Sequence, residues 1–190
     1  MILEGLVTTL DSQGVLNIAP MGPIVDASMT RLRLRPFKTA RTWSNLLGHG
    51  EGVFHVTDDV LLLAQAAIGA VDPAPPVFPA AKVRGWVLAG ACRYYEFRVQ
   101  EYRDCGERAE LDAVVLAEGR LRDFFGFNRG KHAVVEAAIL ATRLHLLPRS
   151  QVESEFARWK VLVDKTGGPQ ERRAFEVLEE YLRQWPGGKA

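Results

Sequence analysis

Two long stretches around a short polar turn constrain this chain more than anything else in it. Over residues 92–103, Tyr95, Phe97 and Val99 alternate with Glu96, Arg98 and Gln100. Over residues 107–119, Leu111, Ala113, Val115 and Ala117 alternate with Glu110, Asp112 and Val114. A period of two belongs to an extended chain, whose successive side chains point to opposite faces. Asp104-Cys105-Gly106 suits a tight turn between them, so an antiparallel hairpin is expected. The rest of the first half supplies further strands. Ile2 to Leu10 is apolar and β-branched, Asp11-Ser12-Gln13-Gly14 turns the chain, and Val15 to Ala19 pairs back on it. Pro20, Gly22 and Pro23 are expected to break that ladder, because proline offers no N–H. Met29 to Arg35 sets Met29, Arg31, Arg33 and Arg35 against Thr30, Leu32 and Leu34, a strand with one wet face.

Pro36 ends that strand, Thr39 to Leu47 reads as a short helix, and Gly48-His49-Gly50 stops it. Glu51 to Thr57 is the next strand, and Asp58-Asp59 opens a helix that ends near Gly69. Four prolines make 71–81 an extended loop. About six strands with one or two short helices describe a small antiparallel β-barrel, a mainly β architecture within the α+β class. Beyond Arg122 the pattern becomes helical: Lys131 to Leu147 as a buried helix closed by Pro148, then Gln151 to Val163 and Gln170 to Gln184. The reading is a barrel over 1–122 and a helical unit over 123–186.

Lys plus Arg number 24 and Asp plus Glu 23, so nothing draws the whole chain to nucleic acid or an anionic membrane, and any anion site is local. The Arg31, Arg33, Arg35 strip lacks the interleaved aromatics of a base-stacking surface; pairing across a dimer is the better reading. Two cysteines make no zinc pattern and read as reduced thiols. No stretch has the length and apolarity of a membrane span, and the start lacks a signal-peptide pattern, so a cytoplasmic location is expected. No residue stands out as a nucleophile or general base.

Three segments in order, Asn17-Ile18-Ala19-Pro20-Met21-Gly22, Thr42-Trp43-Ser44-Asn45-Leu46 and Gly52-Val53-Phe54-His55-Val56, resemble the flavin-reductase-like FMN-binding split barrels. There an Asn-x-Ala-Pro segment runs past the isoalloxazine ring, a Thr-x-x-Asn opens a helix, and a strand follows. The chain looks closer still, over almost its whole length, to an uncharacterised family within that superfamily. Arg35-Pro36-Phe37, Val56-Thr57-Asp58-Asp59 and Phe127-Asn128-Arg129-Gly130-Lys131-His132-Ala133-Val134 carry that likeness. The resemblance implies a split barrel with a helical C-terminal part, FMN as cofactor, and a homodimer with the flavin at its interface. It further implies oxidoreductase chemistry on a small molecule; a non-catalytic flavin or electron-transfer module and a pterin- or nucleotide-binding protein are the alternatives. Two departures stand out. Ala40-Arg41-Thr42 replaces the usual Lys-Asp-Thr, and His55 replaces the strand asparagine.

An FMN phosphate carries about two negative charges and needs cations, hydroxyls and N–H groups. Lys38, Thr39, Arg41 and Thr42 offer these at a helix start, where the dipole already favours an anion. The plainer alternative is that Thr39 only caps the helix and both cations are solvated. Ala19, Pro20, Met21 and Gly22 supply an extended segment for the ring, with Trp43 or Phe37 as a flanking aromatic. Asn17 serves either the ligand or the turn after Gly14. The resemblance adds Asn45 and His55. Asn128, Arg129 and Lys131 form a second polar cluster at a helix start, where cations call for an anion: either the cofactor or substrate, or local carboxylates such as Asp123.

Overall fold

The computed structural model describes residues 1–186. They fall into two compact units, residues 1–57 with 75–124 and residues 58–74 with 125 onward. The division thus lies two residues beyond the expected 122/123 boundary, and the segment carrying the second helix belongs with the C-terminal helices.

In the first unit the strands are β1 (Gly5–Leu10), β2 (Leu16–Met21), β3 (Ile24–Val25), β4 (Arg31–Leu34), β5 (Glu51–Val56), β6 (Val77–Pro79), β7 (Trp86–Leu88), β8 (Arg93–Cys105) and β9 (Arg108–Arg120), with helix α1 (Arg41–His49) between β4 and β5. Seven of them form one antiparallel sheet in the order β2-β1-β5-β8-β9-β4-β3. The residues before β1 reach the far edge of this sheet: Ile2 bridges Ile24, and Leu3 and Val25 donate backbone bonds to Pro23 and Met1. Those contacts curl the sheet into a split barrel. Its core gathers Val7, Leu32, Leu34, Phe54, Tyr95, Phe97, Leu111 and Ala113 from the strands and Leu46 from α1. Gly52 lies opposite Phe97 on β8, and a Cβ there would sit 2.7 Å from the Phe97 ring, so only glycine admits that ring.

Several expectations need correction. The β1–β2 ladder runs on through Pro20, which pairs with Leu6, because an edge strand needs hydrogen bonds on one side only. The proline-rich segment includes a short strand, β6, paired with β7. Glu96, which alternates with the apolar residues of β8, is buried as they are; its carboxylate accepts the N–H groups of Ala81 and Lys82 at 2.9 and 2.5 Å and clamps that loop over the sheet. The hairpin turn sits at Gly106-Glu107, with Gly106 at φ 80°. Both cysteines are free thiols, Cys92 buried and Cys105 exposed.

The second unit contains α2 (Val60–Ala67), α3 (Arg129–Ala141), α4 (Arg149–Thr166) and α5 (Pro169–Gln184). The helix expected to reach Leu147 ends at Ala141, and a 3-10 turn (Leu144–Leu146) follows. Alanines 133, 137 and 138 are buried on α3 at helical spacing, which lets neighbouring helices approach closely. Asp59 caps α2 by accepting the N–H of Leu62. No helix among the described residues is long and apolar enough to cross a membrane.

Candidate functional site

Helix α1 begins without a cap. Ala40 occupies the N-cap position in extended geometry, its methyl accepts nothing, and the first turn has no acidic residue. Trp43 and Ser44 donate to the Ala40 carbonyl, whereas the amides of Arg41 and Thr42 have no partner among the described residues. This end keeps its positive dipole and two N–H groups for an external acceptor. Thr39 is exposed and caps nothing, so the plainer reading of that residue fails. Arg41 is exposed on the first turn. Lys38 is already engaged: its ammonium lies 2.8 Å from both carboxylate oxygens of Asp104, and this pairing holds the Asp104 carboxyl below the usual range.

Behind this end lies a buried polar network. Asn17 on β2 donates its side-chain amide to Thr42 Oγ1 at 3.0 Å and to Thr9 Oγ1 at 3.3 Å. Asn45, one turn beyond Thr42, donates to the same Thr9 hydroxyl at 2.9 Å. Thr9, Thr42 and Asn45 are buried and Asn17 is half-buried. The two resemblance segments, far apart in sequence, therefore meet through hydrogen bonds. Asn17 faces α1 and not the turn after Gly14, whose bonds come from Asp11. Thr9 escaped the sequence reading; its only signal was a pair of hydroxyl residues, Thr8-Thr9, closing an apolar strand.

Strand β2 carries Asn17, Ala19, Pro20 and Met21, is half-buried throughout, and has no neighbour in the sheet on its outer side. Gly22 follows it. The direction a Cβ would take there is filled by the Glu4 carboxylate and Ile2, so its small size serves packing within the chain. Phe37 is covered by the Arg108 guanidinium, 3.9 Å above the ring, and Trp43 meets the exposed Tyr102 edge-on at 5.9 Å.

Three expected contributors are used inside the fold. His55 is fully enclosed; Nδ1 lies 3.3 Å from the Leu6 carbonyl and Nε2 accepts the Leu88 N–H at 3.0 Å. Both ring nitrogens are spent on tying β5 to β1 and β7, and burial pushes the imidazole pKa down to about 4. In the second unit, Asn128 caps α3 by accepting the Lys131 N–H and donates to the Thr166 carbonyl. Lys131 Nζ lies 2.7 Å from Glu171 and 2.7 Å from the Asp58 carbonyl, so the anion it calls for is Glu171 and not Asp123. Burial would raise the Glu171 carboxyl, but the Lys131 and Gly168 bonds outweigh it and hold it low. Arg129 is exposed. Of the arginine strip, Arg33 pairs with Asp112 of its own chain at 2.7 Å. Among the described residues no group of His, Cys, Asp and Glu is arranged to hold a metal ion.

The chain is similar, over 95% of its length and 94% of the other, to an FMN-bound protein of the DUF447 family from Methanosarcina mazei, at 25% identity and a TM-score of 0.82. Two more distant likenesses concern the fold alone. One is the styrene monooxygenase flavin reductase from Pseudomonas putida S12 (15% identity, 64% of this chain and 82% of that one, TM-score 0.51). The other is nitrilotriacetate monooxygenase component B from Mycobacterium thermoresistibile (13% identity, 65% and 71%, TM-score 0.54). The model for the N-terminal domain of DUF447, a protein family of unknown function, matches residues 3–122, and its companion DUF447 model matches residues 128–180. With a mainly β half-barrel in the first segment and helices in the second, the chain belongs to the DUF447 family.

Proposed function

We propose that this protein binds FMN, with the phosphate at the start of α1 and the ring along β2, and that it is a flavin-dependent oxidoreductase acting on a small molecule. The observation that carries the reading is the uncapped first turn of α1: two free amides, an exposed guanidinium at Arg41 and no competing carboxylate on the turn. A phosphate dianion suits that donor set. The FMN-bound relative from Methanosarcina mazei, alike over nearly the whole chain, supports the same cofactor.

In this reading the residues divide the work. Arg41 and the amides of Arg41 and Thr42 hold the charged end, and Thr42 also answers to Asn17 behind it. Ala19, Pro20 and Met21 present a flat, half-buried edge to the planar end. Bound FMN would supply the hydride and electron chemistry, while the protein contributes binding, orientation and exclusion of water. The open outer side of β2 is where a second copy of the chain completes the pocket, making the functional species a homodimer.

The test is a titration of the purified protein with FMN, read by flavin fluorescence and absorbance, with sedimentation on the same samples. Arg41→Ala with Thr42→Val should weaken FMN at least about tenfold, or about 1.4 kcal/mol. An unchanged affinity would put the phosphate elsewhere. A protein that stays colourless at saturating FMN refutes the cofactor, and a yellow protein that oxidises neither NADH nor NADPH with a broad acceptor panel refutes the enzyme. A stable monomer with FMN bound removes the shared pocket.

A further inference from the structure

Resting on the FMN reading, we infer that Thr9 is a positioning residue of the phosphate site, holding the first turn of α1 in register with the ring-binding strand. Three observations lead there. First, Thr9 faces Asn17 directly in the β1–β2 ladder, so its hydroxyl lies on the same face of the sheet as the Asn17 amide. Second, its oxygen accepts from both Asn17 and Asn45. Third, Asn17 spends the other hydrogen of the same amide nitrogen on Thr42. One hydroxyl oxygen therefore joins three elements, β1, β2 and α1, at one buried point.

The geometry gives this junction a particular consequence. Thr42 owns one of the two unpaired amides of the first turn, and its side chain is the one Asn17 grips. Asn45 fixes the same helix one turn further along. With two attachments, the helix start can neither slide along nor rotate against β2. FMN spans the two elements, its phosphate on α1 and its ring on β2. Its affinity then depends on their spacing, whereas riboflavin, which lacks the phosphate, depends on β2 alone. Thr9 is fully buried, out of reach of a ligand on the surface. It acts through Asn17 and Asn45, so its signature is a loss of discrimination between FMN and riboflavin.

Thr8 provides the control. It is equally buried, belongs to the same strand, and donates its hydroxyl to the Trp86 carbonyl at 2.7 Å, fastening β7 and not α1. The experiment titrates FMN and riboflavin into the full-length wild type, Thr9→Val, Thr9→Ser and Thr8→Val, and records a thermal melt of each. Thr9→Val should weaken FMN at least about tenfold and riboflavin less than about threefold. Thr9→Ser, which keeps the hydroxyl, should restore the preference for FMN, and Thr8→Val should lower the melting temperature without changing that preference. Equal losses for both flavins in Thr9→Val, or a full preference for FMN in that variant, overturn the inference. So does an equal loss of preference in Thr8→Val. If the wild type itself binds riboflavin as tightly as FMN, the phosphate site fails and this inference with it, a result distinct from a failure of Thr9 alone. Should Thr9→Val not fold, Asn45→Leu removes the donor on the α1 side of the same hydroxyl. It is expected to show the same split, and an unchanged preference there refutes the role.

Discussion

The enclosed imidazole of His55 makes stability depend on pH in a defined window. Folded, the ring is neutral with a pKa near 4, because burial penalises the cation; unfolded, it titrates near 6.5. Above the unfolded value both states are neutral and the group is silent. As pH falls below 6.5 the unfolded chain takes up a proton that the folded one refuses, and stability drops until the folded pKa is reached. At about pH 5 the loss amounts to about 2 kcal/mol, from roughly 1.5 pH units at about 1.4 kcal/mol each. At full development, near pH 4, it is about 3 kcal/mol. His55→Asn removes the titration and keeps a polar side chain beside the Leu88 N–H. Urea unfolding of wild type and variant across this pH range isolates the term, since every other group cancels in the difference. The wild type should be the more stable at neutral pH, by about 1–3 kcal/mol for its better-placed acceptor, and should lose that lead progressively below pH 6.5. Parallel stability curves from pH 6.5 to 5 would refute the buried neutral ring, as would an NMR titration placing the His55 pKa near 6.5.

Other outcomes follow from the packing. Glu96→Ala releases the Ala81 and Lys82 amides and should cost about 3 kcal/mol in urea unfolding, with Glu96→Gln costing less because it keeps one acceptor. Lys131→Met strands the buried Glu171 carboxylate and should cost about 3–5 kcal/mol, readable as a loss of helical circular dichroism at lower urea. Gly52→Ala drives a methyl into the Phe97 ring and should cost about 1–3 kcal/mol in the same assay, whereas Gly48→Ala, where a Cβ meets nothing, should be neutral or slightly stabilising.

Much of the barrel was legible in the pattern of residues. The period-two alternation of Arg31 to Leu34 and of the β8–β9 hairpin places side chains on two faces whatever their partners are, and the apolar face turns inward, although Glu96 on the other face of β8 is buried as well. The Asn17 segment and the Thr42-Asn45 pair could be recognised as belonging to a site, and they do meet. The cations were harder. Lys38 and Lys131 look alike in sequence to Arg41, yet one faces Asp104 and another Glu171, carboxylates 66 and 40 positions away along the chain.

What the sequence determined by itself is local: the strand period, the turns at Gly14 and Gly106, the place of each main helix, and the absence of any overall charge to draw a polyanion. Those follow from backbone sterics and side-chain alternation, which act over a few residues. Tertiary structure alone decided that His55 and Glu96 are interior clamps, that Pro20 stays within its ladder, and that Thr9 ties α1 to the edge strand. Each of these turns on which distant group arrives within about 3 Å to give or take a hydrogen bond, and no short stretch of sequence carries that distance.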